Sequence, residues 1–188
     1  EPRDPALNLV EPLENQLRLL KAARLPSTVL LQYDALIQSP LTSMIQNRLD
    51  STDDIGVWLE IVKPLCDRAQ IPWRGRKGYD WDWHSHVGLL IGYPVEERHK
   101  LLDILMNDFK AIFGFYPKSV GAWVLDASSL AYLDEKYHIE AACNCKDQWG
   151  TDGYTLWGGY YNQAYYPSVR NAFTPAQNPI NQIQVPIF

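Results

Sequence analysis

The stretch STVLLQYD, Ser27 to Asp34, decides the fold, because it is an apolar run that reads as a buried strand and ends on an acid. The same signature returns in DIGVWLEI, Asp54 to Ile61, and in SVGAWVLD, Ser119 to Asp126, with a fourth strand expected over Ile139 to Cys145. Between these runs the apolar period changes to that of helices. Leu13, Leu17, Leu20 and Ala23 lie on one face of a helix that Pro26 ends. Further helices are predicted over Pro40 to Leu49, Pro64 to Ala69, Pro94 to Phe113 and Ser128 to Tyr137. The Pro94 helix has the strongest pattern: Glu96 and Glu97 in its first turn, Leu101, Leu105, Phe109 and Ile112 along one face, and Gly114 as its stop. Strands that alternate with helices call for parallel βα units.

The expected fold is therefore α/β, a single domain over residues 1–188 built as a parallel (β/α) barrel. The last residues, QIQVPIF, look like a further strand at which the chain stops, as in a fragment of a longer protein or a barrel left open on one side. A length of 188 residues is enough for one substantial core. The net charge of −5 and a pI near 5.3 leave no basic footprint, so nucleic acid is set aside as a partner. No apolar run approaches the roughly 20 residues needed to span a bilayer, so membrane insertion is not expected. The opening EPRDPALNLVEP has neither the basic start nor the apolar middle of a signal peptide. Cys143 and Cys145 are two apart on one strand face and Cys66 is distant, which argues for packing and against a disulfide scaffold.

Parallel strands deliver their carboxyl ends to one rim. Asp34 ends the first strand, Glu60 stands near the end of the second, Asp126 ends the third and Asp147 follows the fourth. Asp126, before ASSL, equally fits the N-cap of the next helix. Paired carboxylates beside aromatic surfaces are the equipment of glycosidic bond hydrolysis, in which one acid protonates the leaving oxygen and the other acts as nucleophile or activates water.

The segment YDWDWHSH, Tyr79 to His86, lies between Gly75, Gly78 and Gly88 and reads as a loop. If it is extended, Asp80, Asp82, His84 and His86 form one polar row and Trp81 and Trp83 face the other side. Such a loop suits a polyhydroxylated ligand. Asp82, His84 and His86 also have the alternation of a divalent metal site. Beyond Lys146 a long stretch rich in Trp, Tyr, Gly and Asn adds Trp149 and Trp157 as stacking surfaces, whereas Trp58 and Trp123, inside strands, read as core.

These strand ends resemble the glycoside hydrolase/deacetylase superfamily, whose members form an incomplete seven-stranded (β/α) barrel related to polysaccharide deacetylases. Tyr33 and Asp34 match the Phe and first Asp of that group's first motif, which implies a catalytic base at Asp34, while Ala35 stands where the metal-binding Asp would be. In the second motif Asp54, Ile55 and Gly56 resemble Glu-Ile-Gly, and Trp58 and Val62 occupy the positions of the metal-binding histidines. The Arg-rich third motif has no counterpart in SVGAWVLD. Together these readings lead to a hydrolase acting on an oligosaccharide or polysaccharide, with Asp34 as base or nucleophile and Glu60 or Asp126 as acid. Trp81, Asp82, Trp83, His84, His86, Asp147, Trp149 and Trp157 would line the substrate site. No cofactor is expected in this reading. A metal-dependent deacetylase using His84 and His86 and a non-catalytic glycan-binding domain are the alternatives. The carbohydrate argument favours the periplasm or cell exterior.

Overall fold

Four strands, each shorter than its sequence signature, form a parallel sheet in the computed structural model, which describes residues 8–144 and 163–188. β1 (Thr28–Leu31), β2 (Asp54–Trp58), β3 (Ser119–Ala122) and β4 (Ala141–Asn144) lie side by side in chain order. Thr28 stands opposite Asp54 and Leu31 opposite Val57, Trp58 is level with Gly121, and Ser119 to Ala122 run beside Ala141 to Asn144. β3 is buried throughout and β2 over its middle residues, as central parallel strands covered on both faces are, whereas β1, expected to be buried, and β4 lie at the sheet's edges and are partly open. Their carboxyl ends share one rim.

The helices are α1 (Val10–Ala22), α2 (Tyr33–Leu36), α3 (Ser39–Arg48), α4 (Lys63–Ala69), α5 (Ser85–Gly88), α6 (Val95–Phe113) and α7 (Ala127–Tyr137). α6 follows its predicted pattern: Leu101, Leu102, Leu105, Met106 and Phe109 are buried, and Gly114 ends it in the left-handed conformation at φ +86°. It packs between α4 and α7. Asp103 ties it to α7 by accepting from the hydroxyls of Tyr132 and Tyr137 and from Lys136. Among the described residues no helix is long and apolar enough to cross a membrane.

Several expectations change. The acidic end of each strand signature lies beyond the sheet: Asp34 belongs to α2, Glu60 follows β2, and Asp126 caps α7. The terminal QIQVPIF is no regular strand. Ile187 lies beside Ala142 in a single parallel bridge and opposite Tyr165 in an antiparallel one, and Pro186, lacking an N–H, accepts from Ala142 N but donates nothing. Before it, β5 (Pro167–Ser168) and β6 (Asn171–Pro175) pair antiparallel, where the sequence pattern indicates only irregular chain. Among the described residues the four-stranded sheet is open, with β1 and β4 at opposite ends of its order and no pairing that joins them.

Gly121 shows how closely the rim is packed. A Cβ there would lie 2.6 Å from Leu30 Cδ1 and 2.8 Å from Trp58 Cε3, so the indole of Trp58 rests where a side chain would otherwise be. Gly121→Ala is expected to lower stability by about 1–3 kcal/mol through this overpacking. Urea unfolding checks this, and an unchanged midpoint would contradict the packing described.

Candidate active site

Glu60 is the centre of the rim. Two residues beyond Trp58 on the same run, it is 7% exposed, and its carboxylate accepts from three indoles. Trp58 Nε1 and Trp123 Nε1 each donate to Oε2 at 3.1 Å, and Trp81 Nε1 donates to Oε1 at 2.7 Å. Trp58 and Trp123 meet edge to face, with ring centroids 5.5 Å apart. A carboxylate has about four lone-pair sites on its two oxygens, so the remaining capacity lies on Oε1.

Three donors satisfy Glu60 without neutralising it, and among the described residues no Lys, Arg or His forms an ion pair with it. Burial pushes its proton affinity up, the three indole N–H groups pull it down, and the negative charge of Asp34 pushes it up again. The outcome lies above the ordinary glutamate range. Asp34 stands in the first turn of α2, half-buried, and its Oδ1 accepts from Ala35 N at 2.8 Å. The two acids thus follow β1 and β2, adjacent strands, to the same rim, where the charge of Asp34 acts on Glu60.

Asp126 takes the other of its two expected roles. It is the N-cap of α7: Oδ1 accepts from Ser129 N at 3.0 Å and Arg98 Nη1 at 3.1 Å, and Oδ2 from Ser129 Oγ at 2.6 Å. Burial raises its proton affinity, but the serine donors and Arg98 outweigh this and hold it below the ordinary range. It is an ionised cap.

The aromatic loop departs from the predicted alternating row. It is irregular through His84 and then turns into α5, so His86 lies on a helical turn and leaves the row. Trp81 faces inward on Glu60, while Trp83 is 51% exposed and stacks on His84 with centroids 4.3 Å apart. Asp82 points into the protein and is 1% exposed. It accepts from Arg76 N and Nε at 3.0 and 3.1 Å, from His84 N at 3.1 Å, and from the His84 ring through Nδ1. Burial opposes its charge, but these hydrogen bonds prevail and hold Asp82 far below the usual carboxylate range. Its oxygens serve the loop. His84 and His86 have ring centroids 5.7 Å apart, and among the described residues no group of three or more His, Cys, Asp or Glu side chains is arranged to hold a metal ion. Asp147, Trp149 and Trp157 lie outside the described residues.

The ring of indoles is not legible in the sequence, where Trp58 and Trp123 read as core residues of strands; the structure leaves both half-buried at the rim. Register carries the signal that would have found them. Trp58 is level with Gly121, and Glu60 and Trp123 each stand two residues further along their chains, where the Trp123 indole reaches the Glu60 carboxylate.

No protein-family model matches the chain, and no curated protein does either. A solved structure described as a "putative glycoside hydrolase/deacetylase" from Parabacteroides distasonis is similar in fold, with a TM-score of 0.53 at 14% identity. The similarity covers 93% of this chain and 37% of that one, so the chain spans little more than a third of its length. At this identity the likeness concerns the fold, a mixed α/β arrangement around a parallel sheet.

Glu60 makes a signed contribution to stability. Its folded-state proton affinity is raised, so its contribution is largest below the ordinary value of 4.5 and is lost as pH rises through the folded-state value. The stability of the native chain relative to Glu60→Gln is therefore expected to fall as pH rises above about 4.5. Urea unfolding of both proteins across this range reads the difference; one that is flat or rises with pH would contradict the environment described.

Proposed function

We propose that this rim is the carboxylate pair of a carbohydrate-active hydrolase, with Glu60 as general acid and Asp34 as nucleophile or as the base that activates water. One observation carries the reading: two acids follow adjacent strands to one rim, and one of them is buried among neutral donors with its proton affinity raised partly by the charge of the other. Enzymes that run acid and base chemistry at one pH use such a split between two carboxyl groups. A protonated Glu60 would carry its proton on Oε1, where capacity remains, and pass it to the leaving oxygen. Asp34 would act from the opposite side of the scissile bond. A separation near 5 Å gives retention through a covalent intermediate, and one of roughly 6.5–9.5 Å gives inversion.

The indole faces of the ring and the exposed Trp83, backed by His84, supply flat apolar surfaces of the kind that sugar rings stack on. The name of the structural neighbour points to the same substrate class. In this reading the parallel sheet is one wall of an incomplete seven-stranded (β/α) barrel, with Trp81, Trp83, His84 and His86 on one side of the cleft and Asp147, Trp149 and Trp157 contributed by the following segment. Asp82 would serve by shaping the loop and Asp126 by capping α7.

The deacetylase alternative has less support. Where the family resemblance expects metal-binding groups, Ala35 has no donor, Val62 is 1% exposed and apolar, and Trp58 gives its N–H to Glu60.

Asp34→Asn is expected to lower oligosaccharide turnover by about 10²- to 10⁴-fold while leaving oligosaccharide affinity in place. The assay is release of new reducing ends and of acetate from a panel of acetylated and unacetylated oligosaccharides, with and without chelator. Reducing ends that depend on Asp34 and ignore chelator support the hydrolase. Chelator-sensitive acetate would replace it with a deacetylase, and affinity without product would leave a glycan-binding domain.

A further inference from the structure

We propose that Asp82 is a positioning residue: it closes the aromatic loop into the one conformation that sets the Trp81 indole on Glu60. This rests on the reading of Glu60 as the working acid, but its geometry stands apart from any activity. Asp82 takes donors from both chain directions, with Arg76 six residues before it and His84 two residues after it. Its side chain therefore cinches residues 76–84 into a closed loop in which Trp81 is the adjacent residue.

That loop is fastened to the strand end that carries Glu60. Lys63 N donates to Asp80 O at 2.7 Å, and Ile61 N donates to Gly88 O at 2.8 Å. Gly88 is part of the same closure, since a Cβ there would lie 2.6 Å from the carbonyl oxygen of Asp82. Trp81 is thus held between two backbone fastenings and a buried carboxylate. Taking a carboxylate out of water is costly unless its hydrogen bonds are complete, and a solvated turn needs none. A merely structural loop residue would change stability alone, whereas a positioning residue changes the proton affinity of Glu60 through Trp81.

The test reads the Glu60 side-chain carboxyl by carbon-13 NMR titration and the Trp81 indole N–H by nitrogen-15 NMR. The proteins are the native chain, Asp82→Asn, Trp81→Phe and the double variant. Loss of the Trp81 hydrogen bond removes a contact that favours the ionised form, so each single variant is expected to raise the Glu60 midpoint by about one pH unit, the equivalent of one charge-assisted hydrogen bond. The double variant should shift no further than either alone. If Asp82→Asn does not fold, Arg76→Ala combined with His84→Ala withdraws both side-chain partners while keeping the backbone donors, and an upward shift is again expected. An unmoved Glu60 midpoint with an unmoved Trp81 signal, or shifts that add in the double variant, would overturn the proposal. A coupled midpoint in a protein that cleaves no oligosaccharide would keep the positioning role and remove the hydrolase reading.

Discussion

A carboxylate withdrawn from water must find donors or take up a proton, and at Glu60 this constraint organises the whole rim. Three indole N–H groups from three different parts of the chain converge on it. None carries a charge, so Glu60 is held in place while remaining open to protonation. An arginine in the same position would fix the side chain equally well but would also keep it ionised. Neutral donors leave it able to hold a proton beside Asp34.

The surrounding sequence follows from fitting three indoles around one side chain. Trp58 needs Gly121 beneath it, and the approach of the aromatic loop needs Gly88 against the Asp82 carbonyl. The loop itself depends on a second buried carboxylate with the opposite electrostatic character. Asp82 is surrounded by donors that include Arg76 and stays ionised, and Asp126 is kept ionised by Arg98 and its serine neighbours. Four acids near one edge of a sheet thus divide into two roles. Asp82 and Asp126 are fixed charges that hold the architecture, whereas Glu60, among neutral donors and near the charge of Asp34, has its proton affinity raised.

Much of the fold was legible in the sequence, because parallel strands buried on both faces leave long apolar runs and α6 has a complete set of start, face and stop signals. Strand ends were overextended, since leaving the sheet costs an apolar run nothing that its composition reveals: Leu59 and Ile61 are as buried after β2 as Val57 is within it. The rim acids were visible as residue types, but Asp126 became a cap because Ser128 and Ser129 follow it, and Asp82 turned inward because Arg76 supplies a counter-charge from six residues away. Tyr79 to His86 keeps no alternating row, because the Asp82 side chain bonds back to Arg76 and His84 and the chain then enters α5.

The most direct test of the central claim is a carbon-13 NMR titration of the Glu60 carboxyl in the native protein and in Asp34→Asn. If the two acids form a coupled pair in a desolvated ring of indoles, the native midpoint lies above 4.5 and falls when the Asp34 charge is removed. A native midpoint at or below 4.5, or one that Asp34→Asn leaves unmoved, would contradict the pairing on which the account depends.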